Sequence, residues 1–255
     1  AIPGRFMDLH HIRKLLYKRP EAIESQLKSD FSMILNLLLS QSTDDIRVIF
    51  ERSLASYQDG PDTGEKGSRW DDFLKHLAFL KKENFVDEAD RLTENGIWAS
   101  KLRLDQPLLI AECLRKDAFP RHDAKLLAAL VAPFVYDGDQ EIKITRKITP
   151  RKLVRGFNRL RRQLTDLLER MQQEEFPVSP MFLWPAWAIY AWARGMDWEA
   201  ITGQIGIADG DFAMLITRTA DNLRQIASLK ESHPETAALA FEAMDTILRE
   251  PVVFE

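Results

Sequence analysis

The sequence predicts a mainly α-helical protein, in which a winged-helix module with a small β-hairpin is followed by a helical bundle. Apolar side chains recur every three to four residues through most of the chain, which is the period of an amphipathic helix. The period is lost in residues 84–104, where the pair Asn95–Gly96 stands between two short apolar stretches and favours a tight turn. Helices followed by one hairpin are typical of a winged helix, and an unrelated hairpin is the alternative. We place the domain boundary between residues 106 and 107.

The first domain, residues 1–106, is expected to contain four helices before the hairpin. Ser29 and Thr43 stand where they would cap the second and third helices. The second helix is apolar on nearly every side, which predicts that it is buried. Residues 58–68 hold three glycines and a proline, and they predict a loop. The predicted helices are 8–18, 31–39, 44–57 and 70–82.

The second domain, residues 107–255, is expected to be helical throughout. Pro107 suits the first position of a helix, where its missing N–H is not needed, and Asp123 caps the next helix. Pro177 and Pro180 interrupt the chain after a long amphipathic helix. The predicted helices are 107–116, 124–132, 151–171, 182–194, 198–203, 207–231 and 234–249.

The rest of the chain is organised around the long helix predicted at 207–231, which Asp209 or Asp211 would cap. Its buried face is expected to hold Phe212, Leu215, Ile216, Thr219, Leu223 and Ile226. A second stripe follows steps of four, three and four residues and consists of Met214, Arg218, Asp221 and Gln225. Taken alone, this stripe is typical of a solvated helix face. The alternative is a surface that contacts an extended polymer.

A basic segment, residues 143–162, contains nine lysines or arginines and no acid. Its amphipathic part has an apolar face made of Leu153, Phe157, Leu160, Leu164, Leu168 and Met171. The opposite face carries Arg151, Arg155, Arg159 and Arg162. Arginines without interleaved acids repel one another and are stabilised by phosphates, so this face is a second candidate for nucleic-acid contact. A solvated run of charge is the alternative.

Four of the six tryptophans lie close together in the sequence, at Trp184, Trp187, Trp192 and Trp198. Aromatic side chains at helical spacing usually belong to a core, and we interpret this cluster in that way. An exposed member that stacks on a base is the alternative.

Charge and cysteine content limit the function classes. The net charge of −4 and the pI of about 5.8 give no overall attraction to nucleic acid or anionic membranes, so any polyanion site must be local. The single cysteine, Cys113, excludes an internal disulfide. No membrane span or signal peptide is recognisable, and a reducing cytoplasm is the expected compartment. Because the chain begins with Ala1, we expect a segment of a longer protein.

The motifs of an autonomous enzyme are missing. There is no GxxxxGK[ST] phosphate-binding loop and no glycine-rich dinucleotide motif. His10 and His11 are adjacent and would not share a helix face, so we do not expect a metal site. No catalytic residues and no cofactor are predicted for this segment.

Three stretches resemble one family when they are taken in order. Residues 29–58 (SDFSMILNLLLSQSTDDIRVIFERSLASYQ) share the family's LNLL and ERS elements. Residues 79–119 (FLKKENFVDEADRLTENGIWASKLRLDQPLLIAECLRKDAF) resemble its wing. Residues 192–226 (WARGMDWEAITGQIGIADGDFAMLITRTADNLRQI) resemble its long helix. The ordered set is similar to the C-terminal region of Ski-like DExH-box ATP-dependent RNA helicases, a winged helix followed by the helical DSHCT domain.

The resemblance implies a function for the predicted bundle. Two upstream RecA-like domains would bind ATP and Mg and drive translocation, while this segment contacts single-stranded RNA. The helix from Asp211 would be the ratchet helix that lies across the strand, and Arg218, Arg224 and Gln225 match positions of its motif. The family's first arginine on this helix is replaced by Met214, which puts that contact in doubt. A protein-interaction scaffold and part of a DNA-directed helicase are the alternatives.

Overall fold

The computed structural model describes residues 29–53, 69–104, 106–145 and 148–252, and this part of the chain is mainly α-helical, as predicted. The helix predicted at 8–18 and the loop predicted at 58–68 lie outside these residues. A short 3-10 helix, Ala132–Phe134, extends the sixth of the α-helices. The α-helices of the described part are α1 (Phe31–Leu38), α2 (Thr43–Glu51), α3 (Arg69–Lys82), α4 (Glu94–Ala99), α5 (Pro107–Arg115), α6 (Ala124–Val131), α7 (Arg151–Gln173), α8 (Leu183–Ala193), α9 (Trp198–Ile205), α10 (Asp209–Ala227) and α11 (Pro234–Ile247).

Helix α6 lies at the centre of the bundle because it is apolar on almost every side. Seven of its eight residues are buried, and α7, α8, α10 and α11 pack around it. Asp123 caps it as predicted, by accepting a hydrogen bond of 3.0 Å from the amide of Leu126. Burial would raise the pKa of the Asp123 carboxyl, but the ammonium of Lys152 in α7 and the Leu126 amide bring it below its usual value. The cap therefore also joins α7 to α6.

A network of ion pairs joins α3, α5 and α7. Glu83, directly after α3, is 4% exposed and accepts hydrogen bonds of 2.6 and 2.8 Å from the guanidinium of Arg170 in α7. Glu112 in α5 is buried and pairs with Arg115 and, at 3.0 Å, with Lys116. Arg115 also donates a hydrogen bond of 2.7 Å to the carbonyl of Glu83. The network fixes α7 against the N-terminal helices, and the domain boundary between 106 and 107 stays a prediction.

The β-hairpin predicted around Asn95–Gly96 is wrong, because this pair lies inside helix α4. Thr93 begins that helix by accepting a hydrogen bond of 3.2 Å from the Gly96 amide. A Cβ at Gly96 would lie 2.0 Å from the carbonyl oxygen of Phe85, so the glycine permits close packing and does not form a turn. The described residues contain no β-strand and one isolated antiparallel bridge, in the loop before α4. They do not support the winged-helix prediction.

Helix α10 is shorter than predicted, and no acid caps it. Ala208 is the N-cap residue and makes no side-chain hydrogen bond. The Oδ1 atom of Asp209 instead accepts a hydrogen bond of 2.6 Å from the indole of Trp198, which ties α9 to α10. The predicted buried face is confirmed, and it holds Phe212, Leu215, Ile216, Thr219, Leu223 and Ile226.

Candidate nucleic-acid interface

The predicted polar stripe lies on the side of α10 that faces away from the core. Met214 is 59% exposed, Asp221 is exposed, and Arg218 and Gln225 are half-buried. Steps of three and four residues each correspond to about one helical turn, so the four side chains follow one another along the helix. The stripe offers a thioether, a guanidinium, a carboxylate and an amide to a ligand that lies along α10.

Arg218 lies in the wall of a cleft of about 150 Å³ between α10 and the segment after the 3-10 helix. Its Nη1 atom lies 3.0 Å from Oδ2 of Asp137. The side chain of Arg218 is 29% exposed and that of Asp137 is 81% exposed. Met214 and Tyr136 line the same cleft. An ion pair of this kind at the surface contributes little free energy.

The C-terminal end of the stripe contains an ion pair of its own. Asp221 and Arg224 form an ion pair across one helical turn, and both side chains are more than half exposed. Gln225 beside them carries no charge. Arg224 and Gln225 place further hydrogen-bond donors along α10, one to two turns beyond Arg218.

A groove of about 960 Å³ runs along α7. The four predicted arginines of this helix are all exposed, but only two of them, Arg155 and Arg162, line the groove. Arg161 lines it as well, although it was not predicted. Arg159 donates a hydrogen bond of 2.7 Å to a backbone carbonyl in the loop after α5. Arg151 is the first residue of α7 and is not among the residues that line the groove.

The wall opposite α7 is apolar and belongs to the segment that leads into α8. Val178, Met181 and Phe182 line it, and all three are half-buried. Leu168 of α7 also lines the groove, because Leu167 takes the buried position that was predicted for Leu168. The groove thus has arginines on one side and apolar and aromatic groups on the other.

The tryptophan cluster belongs to the core, which confirms that interpretation. Trp184, Trp187 and Trp192 are buried and Trp198 is half-buried. The first three donate indole hydrogen bonds of 3.2, 3.3 and 2.8 Å to backbone carbonyls. Two of those carbonyls belong to residues 140 and 148, so the tryptophans hold these two points between the 3-10 helix and α7 against α8.

Metal sites, a reactive cysteine and membrane-spanning helices were also considered for the described part of the chain. No group of three or more His, Cys, Asp or Glu side chains in that part is placed to hold a metal ion, and His10 and His11 lie outside it. Cys113 is buried, and burial raises the pKa of its thiol well above the usual value, which keeps the thiol protonated. None of the described helices is long and apolar enough to cross a membrane.

Asp137, Arg161 and Phe182 are part of these surfaces and were not predicted. Arg161 lies in the basic segment but outside the helical spacing that Arg151, Arg155, Arg159 and Arg162 share. The contact between Asp137 and Arg218 spans 81 positions of the sequence, and helical periodicity carries no information about such a contact. The sequence signal was a cluster of three acids within residues 137–141, shortly before the basic segment.

These features define a mainly helical domain with arginine-bearing surfaces beside an open groove and a cleft. Residues 89–255, more than half of the chain, match the family model described as the DSHCT (NUC185) domain. The chain belongs to the DSHCT domain family.

Two helicases are similar to the chain. The antiviral helicase SKI2 of Saccharomyces cerevisiae is 24% identical over 169 residues, which cover 61% of this chain and 13% of that protein. The DExH-box ATP-dependent RNA helicase DExH15, chloroplastic, of Arabidopsis thaliana is 26% identical over 199 residues, which cover 72% of this chain and 16% of that protein. The resemblance to Ski-like DExH-box helicases is thereby confirmed. The chain spans less than a fifth of the length of the curated relatives it matches.

Proposed function

We propose that this chain guides single-stranded RNA for an ATP-dependent DExH-box helicase. RecA-like domains of the same polypeptide bind ATP and Mg and move the strand, while the helical bundle holds it between steps. Family membership and the names of the two relatives support the helicase part of this proposal. The observation that carries the RNA contact is the polar stripe of α10, which remains accessible beside a cleft while the opposite face of the helix is buried.

The contact is expected to be independent of base sequence. Arg218 binds a phosphate in place of Asp137, and the released carboxylate is hydrated again because it already lies at the surface. The exposed thioether of Met214 lies one turn away and offers an apolar surface to a base or sugar. Gln225 adds a neutral hydrogen-bonding group. Contacts of this type hold a strand and allow it to slide, which is what a motor requires of a guide.

The test combines Arg218→Ala with Gln225→Ala and measures binding of a labelled oligouridylate over a range of salt concentrations. We expect affinity to fall about tenfold, because one charge-assisted hydrogen bond contributes about 1.5 kcal/mol. The slope of log K against log salt should shrink by about 0.7 for the lost phosphate contact. Lys230→Ala with Gln204→Ala is the matched control, because it removes the same charge and amide from exposed positions elsewhere. Unchanged affinity and unchanged RNA-stimulated ATPase of the full-length protein would refute the contact.

A protein-docking scaffold is the second candidate. The net charge of −4 and the 60% exposed side chain of Phe241 on α11 favour it. A slope near zero of log K against log salt would support docking over strand binding.

A DNA-directed role is tested separately. Competition between RNA and DNA strands of equal length separates the RNA-directed role from a DNA-directed one.

A further inference from the structure

The α7 groove has two chemically different walls that match the two sides of a nucleic-acid strand. Arg155, Arg161 and Arg162 stand on the helix wall. Met181 and Phe182 stand on the opposite wall and are half-buried. A single strand presents phosphates along one edge and flat, apolar base faces along the other, so both walls are satisfied at once. Among the described residues, Arg155 and Arg162 take part in no ion pair.

The segment that forms the opposite wall begins at the turn that ends α7. The amide of Phe176 donates a hydrogen bond of 2.9 Å to the carbonyl of Met171, which turns the chain back at the end of α7. Val178 and Phe182 of the segment that follows both line the groove, and so does Glu169 of α7. The groove therefore contains one acid of α7 beside its arginines.

The groove and the Arg218 cleft meet at two aromatic rings. Phe182 lines the groove and Tyr136 lines the cleft, and their rings contact each other with centroids 6.0 Å apart. Tyr136 also packs edge-on against the buried Trp184, at 4.6 Å. The indole of Trp184 donates a hydrogen bond of 3.2 Å to the carbonyl of Gln140, which holds the segment between the two sites. The polar stripe of α10 and the arginine face of α7, which come from distant parts of the sequence, thus border the same short segment.

We propose that the α7 groove and the Arg218 cleft form one continuous track for single-stranded nucleic acid, with Phe182 and Tyr136 as the aromatic surface at their junction. The proposal rests on the proposed function and extends it from one helix to a second site. Phosphates bind Arg155, Arg161 and Arg162, and bases stack on Phe182 before the strand reaches Arg218. Arg161 and Phe182 become binding residues, whereas Arg159 does not.

An acidic side chain lies at the junction of the groove and the cleft. Glu141 lines the groove and directly follows Gln140, which lines the cleft. A carboxylate at the junction repels a passing phosphate, so it limits affinity without closing the path. Glu141→Gln is expected to tighten binding of strands long enough to cross the junction and to leave shorter strands unaffected.

The experiment measures affinity of the 255-residue chain for oligouridylates of about 4 to about 16 nucleotides. For the unaltered chain, affinity should rise with length until the strand spans both sites. In Arg155→Gln with Arg162→Gln, the rise should stop at a shorter length. For the longest strand, the slope of log K against log salt should fall by about 1.4, at about 0.7 for each lost contact. Phe182→Leu keeps an apolar side chain but removes the ring, and should weaken the longest strand at least about fivefold.

The control is Arg121→Gln with Lys125→Gln, which removes two exposed positive charges outside both sites. If this control lowers affinity as much as the groove variant does, net charge explains the effect and the track is refuted. A groove variant with the same length dependence and salt slope as the unaltered chain refutes the track even when Arg218→Ala weakens binding. That result leaves the proposed function intact, whereas no salt-dependent binding by the unaltered chain refutes both. A glutamate-rich peptide that displaces the strand from the groove at equal concentration would also overturn the proposal, in favour of protein docking.

Discussion

Asp137 is expected to compete with RNA for Arg218, and Asp137→Asn tests this directly. The substitution keeps the size of the side chain and removes its charge. In the unbound chain the carboxylate lies 3.0 Å from the guanidinium, so strand binding must first displace it. With asparagine in its place, this displacement is easier and one negative charge no longer faces the incoming phosphate. RNA should therefore bind more tightly to the variant.

The size of the effect follows from the exposure of the pair. A surface ion pair contributes about 0.2 to 1 kcal/mol, and Asp137 is 81% exposed. Loss of the competitor should therefore increase affinity by about 1.4-fold to fivefold. The free energy of unfolding should change by less than about 0.5 kcal/mol, because the substitution lies at the surface.

The assay is fluorescence anisotropy with a labelled oligouridylate at about 50 and 200 mM salt, a range over which phosphate contacts weaken strongly. Asp139→Asn provides the matched control, because Asp139 is exposed, lies two positions away and does not line the cleft. The same Asp137→Asn change should have a smaller effect in an Arg218→Ala background, where no guanidinium remains to be released. Equal gains for the two aspartate variants, or an equal gain with and without Arg218, would refute competition at this site.

Two further predictions concern the scaffold. Arg170→Ala should lower the free energy of unfolding by about 3 kcal/mol or more, because it leaves the buried carboxylate of Glu83 without its main partner. Glu83→Ala should lower it by only about 2 kcal/mol, because the arginine left behind is half-exposed. Denaturant unfolding of both variants checks this order, and the reverse order would contradict it. Gly96→Ala should destabilise by about 1 to 3 kcal/mol because the new Cβ would overlap the carbonyl of Phe85. Gly203 also lies inside a helix, but no atom lies within 4 Å of an added Cβ, so Gly203→Ala should stabilise the protein by up to about 1 kcal/mol. Equal shifts in melting temperature for the two alanine variants would show that the overlap between the Gly96→Ala Cβ and the Phe85 carbonyl is relieved.

The helices that sequence predicts best are those whose burial pattern is local. In α7 and α10, one side is apolar and the other polar over five turns or more, and tertiary packing only had to follow that division. The Asp123 cap was predictable for the same reason, since the side chain and the amide that it binds lie three residues apart. Asp209 shows the limit of this reasoning. The sequence suggests it as a cap, but Ala208 is the N-cap residue and Asp209 is the first residue of α10. The indole of Trp198 on the preceding helix donates a hydrogen bond to its carboxylate.

The turn predicted at Asn95–Gly96 is wrong because glycine is found in two different structural situations. Glycine permits the positive backbone dihedrals of a tight turn, and it also allows two backbones to approach more closely than a side chain would allow. The sequence favours the first reading, since apolar stretches flank the pair. The second depends on the position of the Phe85 carbonyl, which only the folded chain defines.

The same limit applies to the candidate site. The sequence predicts the arginines of α7 as a set, but which of them line the groove depends on the segment at 178–182, which lies after the helix.

An acidic chain is compatible with a polyanion ligand because charge acts locally in physiological salt. The Debye length is about 8 Å at that ionic strength, so exposed charges at greater distances are largely screened. Two of the acids that contribute to the net charge of −4, Glu83 and Glu112, are buried in ion pairs with arginines or lysine and project little field to the surface. The arginines of the α7 groove have no such partner among the described residues, and a strand in the groove meets them at contact distance. On the proposed track, Glu141 at the junction and Asp137 in the cleft are expected to limit how tightly a strand is held, because each would lie within a Debye length of a bound phosphate. A guide that must release the strand at every step benefits from such moderate affinity, which arginines alone would not provide.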